Sequence, residues 1–113
     1  MNVNNPASGV MKYTELSGAL NQLCTASWAD FDVSSVAPGA ISVDILVQAL
    51  QASEIVSVRT KGSAISRSII LSSSPDKECV ICQVKPNAAG IIQIMAQDAN
   101  MGRCYVVGYW SFA

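Results

Sequence analysis

The strongest constraint on this chain lies in its second half, where β-branched and aliphatic runs return at regular intervals with turn-forming residues between them. Glu54–Thr60, Ala64–Ser72, Cys79–Lys85, Ile91–Gln97 and Arg103–Phe112 each read as strands. Between them lie Lys61-Gly62-Ser63, Ser73-Ser74-Pro75-Asp76-Lys77, Pro86-Asn87-Ala88-Ala89-Gly90 and the segment from Asp98 to Gly102. Parallel neighbours need a crossover of about a dozen residues or more, and these connections are too short. The spacing therefore predicts antiparallel strands paired in chain order, a meander, with Cys79–Lys85 near its middle.

The first half is less regular. Ile41, Val43, Ile45, Val47 and Ala49 alternate with Ser42, Asp44 and Gln48, which favours a strand over Ile41–Gln51. Ser42 is also a fair helix start and Leu46-Ala49-Leu50 fits a helical stripe, so a helix stays open there. Leu16, Leu20, Leu23, Cys24 and Trp28 recur at three- and four-residue steps, predicting a helix over Lys12–Trp28 capped by Thr14 and weakened by Gly18. Ala29-Asp30-Phe31-Asp32 and the following Ser34-Ser35-Val36-Ala37-Pro38-Gly39 read as loop. Residues 1–9 are Asn-rich, contain Pro6 and Gly9, and read as a flexible arm before a single β-rich domain over 10–113. The expected fold class is α+β and β-dominated: a five- to six-stranded antiparallel meander with one N-terminal helix packed on it, an open barrel if the sheet curls.

Charge limits what such a domain does. Only 13% of its residues are charged, about half the usual share for a soluble domain. Few charges then cover the large relative surface of a small domain. Part of that surface is expected to meet another subunit, unless Ser, Asn and Gln solvate it. The net charge of −1 and seven scattered Lys and Arg residues lack the dense basic tract of a phosphate-binding footprint. The start has no positive region followed by an apolar run, so no signal peptide is expected. Asp44 and Gln48 break the longest apolar stretch, so no membrane span is expected either. A cytoplasmic protein, or a virion component if viral, with reduced cysteines is the expectation.

Catalytic and metal chemistry find few candidates. Cys79 and Cys82 form a Cys-x-x-Cys, but residues three apart on a strand point to opposite faces. Val80 and Ile81 resist the tight turn that metal-binding pairs use, and a zinc site needs two further ligands. The pair therefore reads as small apolar side chains in a sheet, with Val80, Cys82 and Val84 on one face. Histidine is absent, which removes the commonest general base. Asp30 and Asp32 lack the extra oxygen ligands of a calcium loop, and no glycine cluster suggests a phosphate cradle. No enzyme activity, metal or cofactor is expected.

Two surfaces remain. Trp28 and the C-terminal Tyr105, Tyr109, Trp110 and Phe112 supply aromatic groups of the kind that anchor interfaces. By alternation Tyr105, Val107 and Tyr109 share one face, and Val106, Trp110 and Phe112 share the other. With both faces apolar, this strand is either central and covered on both sides or applied to another protomer. Around the Lys61-Gly62-Ser63 turn, Arg59, Lys61 and Arg67 make a small positive hairpin. With Tyr105 nearby they could hold a single nucleic-acid strand by backbone contact and stacking. The plainer reading is an edge hairpin that uses charge to block edge pairing.

Asn4-Asn5, Pro75…Cys79 and Arg103…Gly108-Tyr109 resemble, in layout and chain length, the small single-stranded-RNA-binding subunit of coronavirus replicases. The resemblance implies an open β-barrel dimerising through a Gly-containing C-terminal helix, although the acidic balance departs from that basic family. It supports the alternative expectation, a small single-stranded nucleic-acid-binding module of a viral replication complex. The first expectation is a non-catalytic, self-associating structural or assembly protein, a homo-oligomer of the kind found in virus or phage particles.

Overall fold

The computed structural model describes residues 10–71 and 79–112, the side chains of residues 68–71 and 79 excepted. The expected arm over 1–9 and the Ser73–Lys77 loop lie outside the described residues. Within them the chain forms nine strands and no helix: β1 (Met11–Glu15), β2 (Asn21–Leu23), β3 (Ala29–Asp32), β4 (Ser42–Ala49), β5 (Glu54–Thr60), β6 (Arg67–Leu71), β7 (Cys79–Val84), β8 (Ile91–Ala96) and β9 (Gly102–Phe112).

Alternation sets the core. In β4 every second residue is wholly buried: Val43, Ile45, Val47 and Ala49. Ile92, Ile94 and Ala96 of β8 follow the same rule, as do Cys104 and Val106 of β9. Val56 and Val58 of β5 and Phe31 of β3 complete two inner faces. A strand pleat turns alternate side chains to opposite sides, so two such sheets can bury their apolar faces only against each other. Ile41–Gln51 is accordingly strand rather than helix.

The strands make two antiparallel sheets. One has the order β1-β9-β4-β7 with β2 also on β9, and the other the order β3-β8-β5-β6. Of the strands that follow one another in sequence, only β5 and β6 pair as a hairpin. The links from β3 to β4, β4 to β5, β7 to β8 and β8 to β9 all cross between the sheets. This is the connection pattern of a jelly roll, two Greek keys folded into a double sheet. The expected meander is corrected in this respect. Five or six residues suffice either to turn a hairpin or to span the roughly 10 Å between packed sheets, and burial favours the crossing.

The expected helix over Lys12–Trp28 is also corrected. Gly18 sits at φ +81°, a left-handed conformation that interrupts any helix there. On either side the backbone is held by β9: the Leu16 amide donates to the Val107 carbonyl at 2.9 Å, the Val106 amide to the Leu20 carbonyl at 3.0 Å, and the Cys24 amide to the Gly102 carbonyl at 2.8 Å. Leu16 and Leu20 pack on the core, so the apolar stripe is real but is spent on a broken edge strand. The eleven-residue β9 supplies the long partner that outcompetes a helix weak in intrinsic propensity. It also occupies the C-terminus as a strand, contrary to the terminal helix that the replicase resemblance implies. The two sheets remain a sandwich, not a closed barrel.

Two further expectations change. Asp30-Phe31-Asp32 is part of edge strand β3, not loop, because Phe31 plugs the core and pairs with Ile92. Strand β7 lies at the edge of its sheet, paired with β4 alone. Its β-branched run does not distinguish edge from centre. Cys82 and Val84 do turn inward and are buried, whereas Ile81 is 59% exposed. The side chain of Cys79 lies outside the described residues. Among those residues no helix is long and apolar enough to cross a membrane.

Candidate functional site

The outer face of the five-stranded sheet carries an unusual concentration of apolar side chains. Its composition follows from one irregularity. The register between β4 and β9 shifts between Asp44 and Ile45, so that Asp44 opposes Gly108 while Ile45 opposes Val106. Val107 is the extra residue of a β-bulge, which reverses the alternation beyond it. Tyr105 therefore points outward before the bulge, and Trp110 and Phe112 point outward after it. Tyr109 opposes the buried Val43 and packs on the core. Strict alternation had placed Tyr105 with Tyr109 and opposite Trp110. The bulge corrects both assignments.

Three cross-strand rows build the face. Tyr105, Leu46 and Ile81 stand abreast on β9, β4 and β7. Tyr13 and Trp110 form the second row, and Met11 and Phe112 the third. Four of these side chains are largely open to solvent: Ile81 at 59%, Phe112 at 58%, Met11 at 49% and Tyr13 at 40%. Tyr and Trp share the face with polar groups, a mixture found in interface patches. The polar groups are Asp44, Gln48, Gln83, Arg103 and Asn21. The Tyr105 hydroxyl donates to Gln48 Oε1 at 2.8 Å, and the Arg103 guanidinium donates to Asn21.

The centre of the patch is locked locally. The Tyr13 and Trp110 ring centroids lie 5.0 Å apart with planes tilted by 56°. The Tyr13 hydroxyl donates to Asp44 Oδ2 at 3.0 Å. Burial first, and then the Asp44 contact, raise the Tyr13 hydroxyl above its ordinary pKa. The ring lies directly on Gly108, where a Cβ would stand 2.5 Å from Tyr13 Cζ. The other Asp44 oxygen, Oδ1, is buried without a hydrogen-bond partner among the described residues.

The outer face of the four-stranded sheet differs in character. Arg59 lies over the Trp28 ring, 4.1 Å from its centroid, and its Nε donates to Gln93 Oε1 at 2.8 Å. Gln93 in turn donates to Asp30 Oδ1 at 3.0 Å, and Lys61 pairs with the other oxygen of Asp30. The hydrogen bond from Lys61, then that from Gln93, hold the Asp30 carboxyl below its usual range. Asp32 is lowered as well, by the hydroxyl and amide of Ser34. Asp30 and Asp32 are thus engaged by protein donors, and among the described residues no cluster of three or more metal-ligating side chains occurs.

The structure separates the residues singled out from the sequence. Tyr105, Trp110 and Phe112 come together, Tyr109 turns into the core, and Trp28 goes to the opposite sheet. Arg59 and Lys61 face away from Tyr105 across the sandwich. Arg67 reaches the edge of the first sheet, where Nη1 donates to the Gln83 carbonyl at 2.6 Å. Sequence reasoning missed Met11, Tyr13, Leu46 and Ile81. Alternation of Met11, Tyr13 and Glu15 was the available signal, masked by the stronger helical stripe after it.

A depression of about 450 Å³ lies between the connections 34–40 and 85–90. It is lined by Ser34, Ala37, Pro86, Asn87 and Gly90, with Lys85 as its charged group. No family model, no curated protein and no solved structure matches this chain.

Proposed function

We propose that this chain is a non-catalytic structural protein that assembles with copies of itself through the outer face of the five-stranded sheet, as a component of a virus or phage particle. One observation carries the reading: Met11, Tyr13, Ile81, Trp110 and Phe112 form an apolar and aromatic patch on a sheet face that no described element covers. Patches of this kind on a small domain mark sites of protein association. A second copy suits the patch because the same face and its β1 edge carry both signs of charge, Lys12 and Arg103 with Asp44 and Glu15. A two-fold contact can then satisfy itself. The jelly-roll topology adds support, since capsid subunits use it, although lectins and other proteins do too.

Sedimentation velocity tests the proposal. Wild-type protein should sediment as species heavier than the 11.9 kDa chain, increasingly so with concentration. Ile81→Lys, at a side chain 59% exposed, should return it to monomer. A wild-type monomer at all concentrations sinks the assembly reading, and an unaltered oligomer in the variant sinks the choice of face. The nucleic-acid reading has less support, because Arg59, Lys61 and Arg67 are each engaged within the protein and Tyr105 lies on the other sheet. It predicts salt-dependent oligonucleotide binding.

A further inference from the structure

Independently of that surface, the core holds a pair of thiols in contact with each other. Cys24 and Cys104 are both wholly buried, and their sulfur atoms lie 3.8 Å apart although 80 residues separate them in sequence. Cys24 follows β2 directly and opposes Gly102, so Cys104 is its diagonal cross-strand neighbour. The sulfur is packed close to Gly102, where a Cβ would stand 2.8 Å from Val56 Cγ2, 3.3 Å from Ala96 Cβ and 3.4 Å from Cys24 Sγ. The Cys24 backbone is fixed on both sides, its amide bonded to the Gly102 carbonyl and its carbonyl accepting the Asn100 amide at 2.9 Å. Sulfur atoms in a disulfide lie about 2.05 Å apart. The remaining approach comes with local opening of β2, the three-residue edge strand that Cys24 follows.

We propose that Cys24 and Cys104 are an oxidisable pair that a small hydroperoxide converts to a disulfide, tying the N-terminal edge strand to β9. Access comes from local opening: β2 is three residues long and lies at a sheet edge, where strands open at a small fraction of the global unfolding cost. In the first step the Cys24 sulfur attacks one peroxide oxygen, the O–O bond breaks and water leaves, giving a Cys24 sulfenic acid. In the second step the Cys104 sulfur attacks the Cys24 sulfur, the S–O bond breaks and a second water leaves. Two thiols lose two hydrogens and two electrons, and one hydrogen peroxide becomes two waters. The order follows from the hydrogen bond between the thiols, which lowers Cys24 and raises Cys104. Of the two, Cys24 is therefore the sulfur more readily deprotonated.

The test is graded hydrogen peroxide treatment of the native protein, followed by alkylation under denaturing conditions and peptide mass spectrometry. The expected product has lost two hydrogens, with the Cys24 and Cys104 peptides joined and Cys82 alkylated. Its thermal midpoint should rise by on the order of 10 °C and return on reduction. In Cys104→Ser, Cys24 should stop at a sulfenic acid that a dimedone probe captures, and Cys82→Ala should cross-link as wild type does. The proposal is overturned if Cys24 and Cys104 both remain alkylatable when a glutathione control is fully oxidised, or if Cys82 enters the cross-link. Should Cys104→Ser fail to fold, the wild-type peptide map decides alone.

Discussion

Replacing Gly108 with alanine should reveal how tightly the centre of the patch is held, and the size of the effect follows from the contacts there. A methyl group at Gly108 would occupy the space of the Tyr13 phenol, and the half-exposed ring is the part able to move. Moving it forfeits the tilted contact with Trp110, worth about 0.5–1.5 kcal/mol. It also forfeits the hydroxyl bond to Asp44, worth about 1 kcal/mol at this exposure. Asp44, whose Oδ1 already lacks a partner among the described residues, then loses its described acceptor contact altogether. Against this loss of about 2 kcal/mol, exchanging glycine for alanine within a strand returns about 0.5–1 kcal/mol. The net cost is about 1–1.5 kcal/mol, a fall of roughly 5 °C in the thermal midpoint. Without the Tyr13 ring the three nearest atoms that oppose the methyl group are gone, so in a Tyr13→Ala background Gly108→Ala should become stabilising by about 0.5 kcal/mol. Urea unfolding of the four proteins in this cycle measures a coupling of about 2 kcal/mol. If Gly108→Ala costs the same with and without Tyr13, the account of this contact is wrong.

Other consequences are tested singly. Glu54 is 1% exposed and accepts from Gln51 Nε2 and from the Asp98 amide, both at 2.8 Å. Glu54→Ala should therefore cost about 2–3 kcal/mol in urea unfolding and loosen the turn after β8, with Glu54→Gln costing about 1 kcal/mol less. Asp30 and Asp32 have folded pKa values below the ordinary carboxylate value of about 3.9. Their contribution is present above that value and is lost as pH falls through the lowered folded values. Stability measured downward from about pH 5 should thus decline more gently in Asp30→Asn and Asp32→Asn than in wild type.

The parts of this fold that a sequence exposes are those decided locally. Glu54–Thr60 was legible to the residue because β-branched alternation, the Lys61-Gly62-Ser63 turn and burial all agree there. Strand β4 was legible only in part, because its alternation favoured a strand while Ser42 and the Leu46-Ala49-Leu50 spacing left a helix open. The helix over Lys12–Trp28 was misread because its leucine spacing is genuine, while the deciding factor, pairing with β9, lies from 80 (Leu23 to Arg103) to 99 (Lys12 to Ser111) residues away. Sheet order was illegible because the connection from Lys85 to Gly90 reads alike whether it turns back or crosses over. The surface suffered most from a single residue: the bulge at Val107 sends Tyr109 inward and Trp110 outward. Nothing in the local run Tyr105–Tyr109 marks that position in advance.

The placement of Trp110 and Trp28 on opposite faces of the sandwich offers the most direct measurement of where copies of this chain meet. Hydroxyl-radical labelling read by mass spectrometry should show Trp110 oxidation slowing several-fold as protein concentration rises. Trp28, stacked beneath Arg59 on the other sheet, should label at a constant rate. Equal rates for Trp110 at all concentrations, or protection of Trp28 alone, would contradict assembly through the five-stranded sheet.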